Sequence, residues 1–372
     1  MRRFVCVAVA CCLALGLAAQ RETQQLADSI VKYQMKSGGW PKNQNWLQGV
    51  DPQEAKMWRK TGVGSTIDNG ATTSEMDVLA KAVDQIVVML AENSKWLDTD
   101  MLKERRKSYM ESFRLGLDYL LKMQYDTGGF PQFYPQKGKS DDYSTQITFN
   151  DNAMVNALKM LRDVANDSTR YRNMAIDKGT KKKCQAAFER GLRCIVNCQI
   201  RTDETGRVVP FDSPSWRGSS LAVWCQQHDK LTFMPVKARA YELPSYTACG
   251  ETCAILDLLM DEPRPSAEIK DAVKGAVEWL EAHAMHDVAL ENFTNEDGQP
   301  DQRLVERKGA PLLWARYYDL VTAQPMFCDR DGVPHKHLSE IGYERRTGYS
   351  WVGDSPKRVI ERYKKWCGQH GL

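Results

Sequence analysis

Ile30-Val31-Lys32-Tyr33-Gln34 running into Gly38-Gly39-Trp40-Pro41, and Leu120-Leu121-Lys122-Met123-Gln124 running into Gly128-Gly129-Phe130-Pro131, are two copies of one pattern. In each, an apolar stretch closes on Gln and a Gly-Gly-aromatic-Pro turn follows. A third, more divergent copy reads Cys194-Ile195-Val196-Asn197-Cys198-Gln199 into Gly206-Arg207-Val208-Val209-Pro210. About two helices with their loops separate successive copies, so the repeated unit is a helical hairpin that needs neighbours to bury its apolar face. Hairpins set around an axis predict an all-α fold, an α/α toroid (barrel-like) whose long loops form a binding cleft at one rim.

The rest of the chain agrees with helices. Ser74 to Glu92, Tyr109 to Met123, Asp151 to Val164, Cys184 to Cys198, Tyr246 to Met260 and Ile269 to Ala284 carry apolar residues at three- and four-residue spacing, and alternating strand patterns are scarce. Thr72-Thr73-Ser74-Glu75 and Thr148-Phe149-Asn150-Asp151 read as capping boxes, and Ser355-Pro356 opens the last helix.

Residues 1–19 read as a secretory signal peptide: Arg2 and Arg3, an apolar run from Phe4 to Leu17, and small residues up to Ala19. The run is short for a membrane span and no other segment approaches one. A lipoprotein reading of Ala8-Val9-Ala10-Cys11 is the weaker alternative, because cleavage there would leave almost no apolar core. An exported protein is expected, secreted or periplasmic, with residues 20–372 forming a single α/α domain, since no Pro/Gly/Ser-rich linker divides them. The 51 Lys and Arg against 48 Asp and Glu come still closer to balance once Arg2 and Arg3 leave, which argues against a broad basic field for nucleic acid. Lys181-Lys182-Lys183 reads as a solvated turn. Cys184, Cys194, Cys198, Cys225, Cys249, Cys253, Cys328 and Cys367 remain after the signal, an even set that an oxidising compartment permits to pair, with no connectivity legible from spacing. No histidine pair accompanies the Cys194/Cys198 and Cys249/Cys253 spacings, so they read as structural and not as a zinc site.

Two acidic stretches sit where helices begin, Thr66-Ile67-Asp68-Asn69-Gly70-Ala71-Thr72 and Ile147-Thr148-Phe149-Asn150-Asp151-Asn152. A single such carboxylate caps a helix by default. Two Asp-Asn pairs at equivalent hairpin ends supply the oxygen ligands that suit a hard cation such as calcium. Arginines in aromatic, polar loops follow: Arg239 in Ala238-Arg239-Ala240-Tyr241-Glu242, Arg316 in Trp314-Ala315-Arg316-Tyr317-Tyr318, Arg330 in Phe327-Cys328-Asp329-Arg330-Asp331, and the doublet Arg345-Arg346 beside Tyr349 and Trp351. Planar guanidinium groups bind carboxylates bidentately, so a row of them beside aromatic faces suits an anionic sugar polymer; the alternative is that each is tied up in a structural ion pair. His228, in Gln226-Gln227-His228-Asp229, reads as a polar wall or a structural residue before a catalytic one. Trp40, Trp224, Tyr349 and Trp351 can either stack on sugars or staple loops to the core.

Taken together, Gly38-Gly39-Trp40-Pro41-Lys42, Ile67-Asp68-Asn69, Gly129-Phe130-Pro131-Gln132, Thr148-Phe149-Asn150-Asp151, Trp224-Cys225-Gln226-Gln227-His228-Asp229, Ala238-Arg239-Ala240-Tyr241-Glu242 and Phe327-Cys328-Asp329-Arg330-Asp331-Gly332 resemble pectate lyases of polysaccharide lyase family 10, over nearly the whole mature chain. The resemblance implies an α/α toroid, Ca2+, and β-elimination of α-1,4-linked polygalacturonate with an arginine base, giving 4,5-unsaturated oligogalacturonides. By matching motif, Asp68 and Asp151 would be the calcium-site carboxylates, Asn69 would touch substrate, Arg239 would be the base, and Arg316, Arg330 and Arg345 would hold uronate carboxylates; which of Arg345 and Arg346 faces the cleft stays open. An arginine base requires either a desolvated, cation-crowded site or alkaline working pH, because guanidinium is otherwise always protonated, and an alkaline optimum is expected. The expected partners are polygalacturonate and pectic oligosaccharides, with no nucleic acid, no membrane span, and a monomeric protein.

Three other readings compete. An inverting glycoside hydrolase acting on a uronate-containing polysaccharide would use Asp68 and Asp151 as acid and base, and leaves the arginine row unexplained. The Gln-to-Gly-Gly-Trp repeat is similar to that of triterpene cyclases, but the acidic cluster they carry is absent here. A non-catalytic pectin-binding protein would keep the arginines without turnover.

Overall fold

Gln34, Gln124 and Gln199 each lie one or two residues beyond the end of a helix, and each directs its side-chain amide onto the carbonyls of a neighbouring segment. Gln34 Nε2 donates to Gly38 O and Ser112 O at 2.7 and 2.9 Å, Gln124 Nε2 to Ala187 O at 2.8 Å, and Gln199 Nε2 to Ala222 O and Ala272 O at 2.8 and 2.9 Å. The aromatic that follows is fixed in the same way. Indole Nε1 of Trp40 donates to Ile30 O at 2.8 Å and that of Trp224 to Ile195 O at 2.7 Å, while Trp314 extends the pattern onto Leu280 O at 2.7 Å. All three tryptophans are fully buried. The third copy of the repeat is therefore Gln199 with Ala222-Val223-Trp224. The expected Gly206 to Pro210 lie instead in an insertion, whose ends pair as strands Arg201–Thr202 and Ser220–Leu221.

Two of the repeat glycines are obligatory. Gly38 has φ +97° and Gly128 φ +93°, and a Cβ on either would lie 2.3 Å from Leu115 O or 2.2 Å from Arg190 O. Only glycine tolerates that conformation and that approach of two backbones.

The computed structural model describes residues 20–371 apart from 93–97 and 137–141. The signal peptide read at residues 1–19, with Cys6, Cys11 and Cys12, lies outside the described residues. The helices, in chain order, are α1 (residues 20–32), α2 (Pro52–Thr61), α3 (Thr73–Ala91), α4 (Thr99–Met123), α5 (Ala153–Ala165), α6 (Lys178–Cys198), α7 (Gly250–Met260), α8 (Ala267–Ala282), α9 (Tyr343–Thr347) and α10 (Ser355–His370). Every helix that periodicity predicts is present, with α4 starting ahead of Tyr109 and Tyr246 falling in a strand before α7.

The all-α expectation is wrong. The described residues also contain five small sheets, the largest of four strands in the order Pro334–His335, Pro325–Cys328, Tyr317–Asp319, Ser245–Thr247. The longest hairpin pairs Val288–Thr294 with Pro300–Glu306 across an Asn295-Glu296-Asp297-Gly298 turn. Most of the strands are two or three residues long, below the length at which alternation shows in sequence, and they form because the long loops have no other partners for their buried amides. No toroid is established for this chain.

The chain forms two compact units, Met1–Gln124, Phe133–Lys137 and Asn156–Phe188, and then Tyr125–Gln132, Gly138–Val155 and Glu189–Leu372. In the first, α3 packs along α4, burying Met76, Leu79, Val83 and Ile86 against Tyr109, Phe113, Leu117 and Leu120. The second holds the five sheets and a core of Tyr241, Tyr317, Phe327, Leu338, Ile341 and Trp351.

The two predicted capping boxes do not form. Thr72 takes φ 64°, and its hydroxyl donates to Thr66 O at 2.8 Å while accepting from Trp40 N at 3.0 Å. Asp151 likewise takes φ 51° and caps nothing as a box. The turns before α3 and α5 are matched: Asn69 and Asp151 share φ 51°, and Thr66 N donates to Trp40 O as Thr148 N does to Phe130 O. Ser355-Pro356 opens α10 as expected.

Candidate active site

Four arginines of the second unit converge on two tyrosine rings. Arg239 (4.9 Å from guanidinium carbon to ring centre), Arg345 (4.6 Å) and Arg330 (5.9 Å) lie over Tyr241, and Arg316 (4.5 Å) and Arg345 (5.7 Å) over Tyr349. Cations over aromatic faces gain from the ring quadrupole while keeping their N–H donors available. The rings meet edge to face with centroids 5.5 Å apart and rest on the buried Tyr317, Phe327 and Trp351. The core thus forms the floor of the array.

Each arginine comes from a different local structure. Arg239 sits in a turn closed by Glu242 N donating to Arg239 O at 2.9 Å. Arg316 separates strands Trp314–Ala315 and Tyr317–Asp319, with its own N donating to Trp351 O at 2.6 Å. Arg330 follows strand Pro325–Cys328, where Asp329 Oδ1 accepts from its backbone N at 2.7 Å. Arg345 is on α9, and Trp351 Nε1 pins it by donating to Arg345 O at 2.9 Å.

Acidic partners hold the guanidinium groups in place. Glu242 accepts from Arg239 Nε at 2.7 Å and also from its terminal nitrogen, and Glu251 accepts from Arg316 at 2.6 Å. Glu344 accepts from both Arg330 and Arg345. The hydrogen bond to Glu242 pushes Arg239 above the ordinary arginine range. For Arg316, burial pulls downward most strongly, but Glu251, Tyr317 and Tyr349 together leave it raised. Glu344 is held down to about 2, first by Arg330 and then by Arg345. A buried hydrogen-bond chain ties the array together: Tyr349 Oη to Glu242 at 3.2 Å, Tyr349 Oη to Tyr317 Oη at 2.7 Å, and Tyr317 Oη to Gln226 at 3.0 Å. From there Gln226 reaches both Asn150 and Glu251.

The doublet splits. Arg346 points to Asp301, with Nε and Nη2 at 2.8 and 2.7 Å from its carboxylate and Nη1 donating to Ile341 O. Arg345, not Arg346, joins the tyrosine-backed array.

Asp151 is exposed in the turn before α5, one carboxylate oxygen accepting from Asn150 Nδ2 at 2.8 Å. In the first unit Asp68 is 1 % exposed, Lys42 pairs with its Oδ2, and its buried Oδ1 has no hydrogen-bond partner. Asn69 is exposed and donates to Asn43 Oδ1 at 3.1 Å. Among the described residues no group of three or more His, Cys, Asp or Glu is assembled as a metal cage.

His228 is fully buried and structural. Cys225 N donates to its Nε2 at 3.0 Å and its Nδ1 lies 2.7 Å from Phe233 O, so the ring is neutral with the proton on Nδ1. Burial lowers its pKa to about 4. Trp40, Trp224 and Trp351 are likewise staples, all buried, and Tyr349 alone of the four aromatics stays partly open. The eight described cysteines are all free thiols. Glu242, Glu251 and Glu344 are not legible from the sequence as partners of the arginines, whereas Tyr349 already stands beside the Arg345-Arg346 doublet. The three-residue spacing of Arg239 and Glu242 was the one available signal, while Glu251 reaches Arg316 across 65 residues.

The family described as pectic acid lyase matches residues 34–360. The chain belongs to the pectic acid lyase family. This lyase is similar to two solved structures of a family 10 polysaccharide lyase from Cellvibrio cellulosa. One is an aspartate-to-alanine mutant in complex with trigalacturonic acid, at 31 % identity and a TM-score of 0.70, with 92 % of this chain and 92 % of that one covered. The other has 30 % identity and a TM-score of 0.70, with 94 % and 95 % covered. No curated protein matches the chain. The activity of the enzyme is that of a pectate lyase. Among its described residues no helix is long and apolar enough to cross a membrane.

Proposed function

We propose that this lyase cleaves α-1,4-linked polygalacturonate by β-elimination, with Arg239 as the base and Arg316, Arg330 and Arg345 holding uronate carboxylates. The observation that carries the reading is the convergence of Arg239, Arg330 and Arg345 on the single ring of Tyr241. Guanidinium groups fixed by acids on one side and backed by an aromatic face offer forked N–H donors to planar carboxylates. The trigalacturonic acid bound by the Cellvibrio relative is the same class of ligand.

Arg239 removes the C5 proton. The C5–H electron pair becomes the C4–C5 double bond, the C4–O4 bond breaks, and O4 leaves with a proton from solvent. The negative charge that grows toward the C6 carboxylate is met by the other guanidinium groups, which need no reorganisation because their acids already orient them. Since Glu242 raises Arg239, its base form is scarce at neutral pH, and the reading calls for an alkaline optimum.

Calcium suits the donors present: the unpartnered buried oxygen of Asp68 and the exposed carboxylate of Asp151 are hard ligands of the type it takes. The family resemblance assigns Asp68 and Asp151 to calcium and Asn69 to the substrate, and the chemistry the ion would supply is to polarise the uronate carboxylate. Export by way of residues 1–19 belongs to the same reading.

The test is ultraviolet absorbance of the 4,5-unsaturated product from polygalacturonate at alkaline pH, with calcium and then with a chelator. Absorbance should rise with calcium and stop with the chelator, and Arg239→Ala should lower kcat/KM by about 10²–10⁴-fold. Reducing ends without that absorbance would mean hydrolysis, and Arg239→Ala at full activity would remove the assigned base.

A further inference from the structure

One face of α4, in the first unit, carries four cations, of which three have no ion-pair partner among the described residues. Lys103, Arg106, Lys107, Met110 and Arg114 line a shallow depression of about 220 Å³. Their spacing of three, four, seven and eleven residues places them on one stripe of the helix, which runs about 16 Å at 1.5 Å per residue. Among the described residues no carboxylate pairs with Arg106, Lys107 or Arg114, and Lys103 has only the exposed Asp100 at 3.2 Å. The contrast with the neighbouring Arg105 is informative, since it is paired with Asp28 at 3.0 Å. Asp100, Glu104, Glu111 and Asp118 flank the stripe on the adjacent face of α4, and none of them is ion-paired with Arg106, Lys107 or Arg114. Arg106 is half-buried, with its Nε covered.

We infer that this stripe is a second docking surface for polygalacturonate, separate from the arginine array and without catalytic groups. It rests on the proposed substrate. The polymer carries one carboxylate per sugar, so a stretch of a few sugars offers several acceptors to the stripe. Binding through such a surface keeps the enzyme on its substrate between cuts by raising the local concentration of chain. None of the four cations belongs to the catalytic machinery, so removing them leaves the chemical step intact.

The experiment uses the mature enzyme without calcium in native gels containing polygalacturonate, and in parallel follows trigalacturonate turnover with calcium. Arg106→Gln/Lys107→Gln/Arg114→Gln should lose most of the retardation and show a KM for polygalacturonate raised by about fivefold, with trigalacturonate kcat unchanged. Lys107→Glu/Arg114→Glu, at two exposed positions, should do the same and guards against a folding defect at Arg106. Unchanged retardation in both variants overturns the proposal. So does equal retardation of the parent in gels of polyglutamate, which would make the stripe a general polyanion patch, or retardation by anionic lipid vesicles alone. Failure of the parent to make unsaturated product would count against the lyase chemistry, whereas the gel reads docking by itself.

Discussion

Glu242 accepts from Arg239 Nε at 2.7 Å and from the Tyr349 hydroxyl at 3.2 Å, so one carboxylate, 4 % exposed, both orients the proposed base and ties it to the hydrogen-bond chain that ends at Glu251 and Arg316. The same contact raises Arg239. Orientation and basicity are therefore set against each other in one residue pair. Glu242→Gln keeps the shape and removes the charge, so Arg239 should lose its proton at lower pH. The rising limb of kcat against pH should move to lower pH, while peak kcat falls about tenfold to a hundredfold through looser positioning. A profile that stays where it was would mean that Arg239 does not titrate in catalysis.

Arg345 and Arg346 are adjacent in sequence and should behave oppositely. Arg345→Ala removes a guanidinium from the Tyr241 and Tyr349 faces and should raise KM for polygalacturonate about tenfold or more. Arg346→Ala strips the buried Asp301 of its ion-pair partner, leaving the Gln302 backbone N on Oδ1, and should lower Tm with KM unchanged. Steady-state kinetics and a thermal melt on each variant decide the matter, and a KM effect confined to Arg346 would reverse the assignment.

Asp68→Asn tests the cation site. Its orphaned buried oxygen is the one most in need of a cation, so the calcium concentration for half-maximal rate should rise by at least about tenfold, with rate regained at high calcium. An unaltered calcium curve would take Asp68 out of the site.

His228 sets an acid limit on folding. Burial lowers it from 6.5 to about 4, so between those values the unfolded chain binds a proton that the folded chain refuses. Stability contributed by the neutral ring is complete above about pH 6.5 and falls as pH drops toward 4, by about 3 kcal/mol in all. Urea melts from pH 7 to 4 should show this slope, and His228→Gln should flatten it. A slope the same in both proteins would assign acid sensitivity elsewhere.

The helices were legible because their information is local. Apolar periodicity and the Gln-to-Gly-Gly-aromatic turns report on residues a few positions apart, and the reason for Gly38 and Gly128, a backbone packed against a carbonyl, is a property glycine alone supplies. The small sheets were not legible, since strands such as Gln227–His228 or Val352–Gly353 are too short to alternate and exist only through a partner far along the chain. The worn third repeat misled for a related reason: Gly206 to Pro210 looks like the turn, but the turn is recognised by what Gln199 and Trp224 bond to, and those partners are brought in by folding.

By itself, the sequence determined which residue types are available: four arginines in aromatic loops and two carboxylates at helix starts, enough to indicate an anionic sugar substrate and a hard cation. Tertiary structure alone decided how the arginines are used. A guanidinium's orientation and proton affinity depend on which acid and which ring reach it in space, and Glu251 on α7, Glu344 on α9 and Tyr349 just after α9 reach Arg316 and Arg330 from distant positions in the chain.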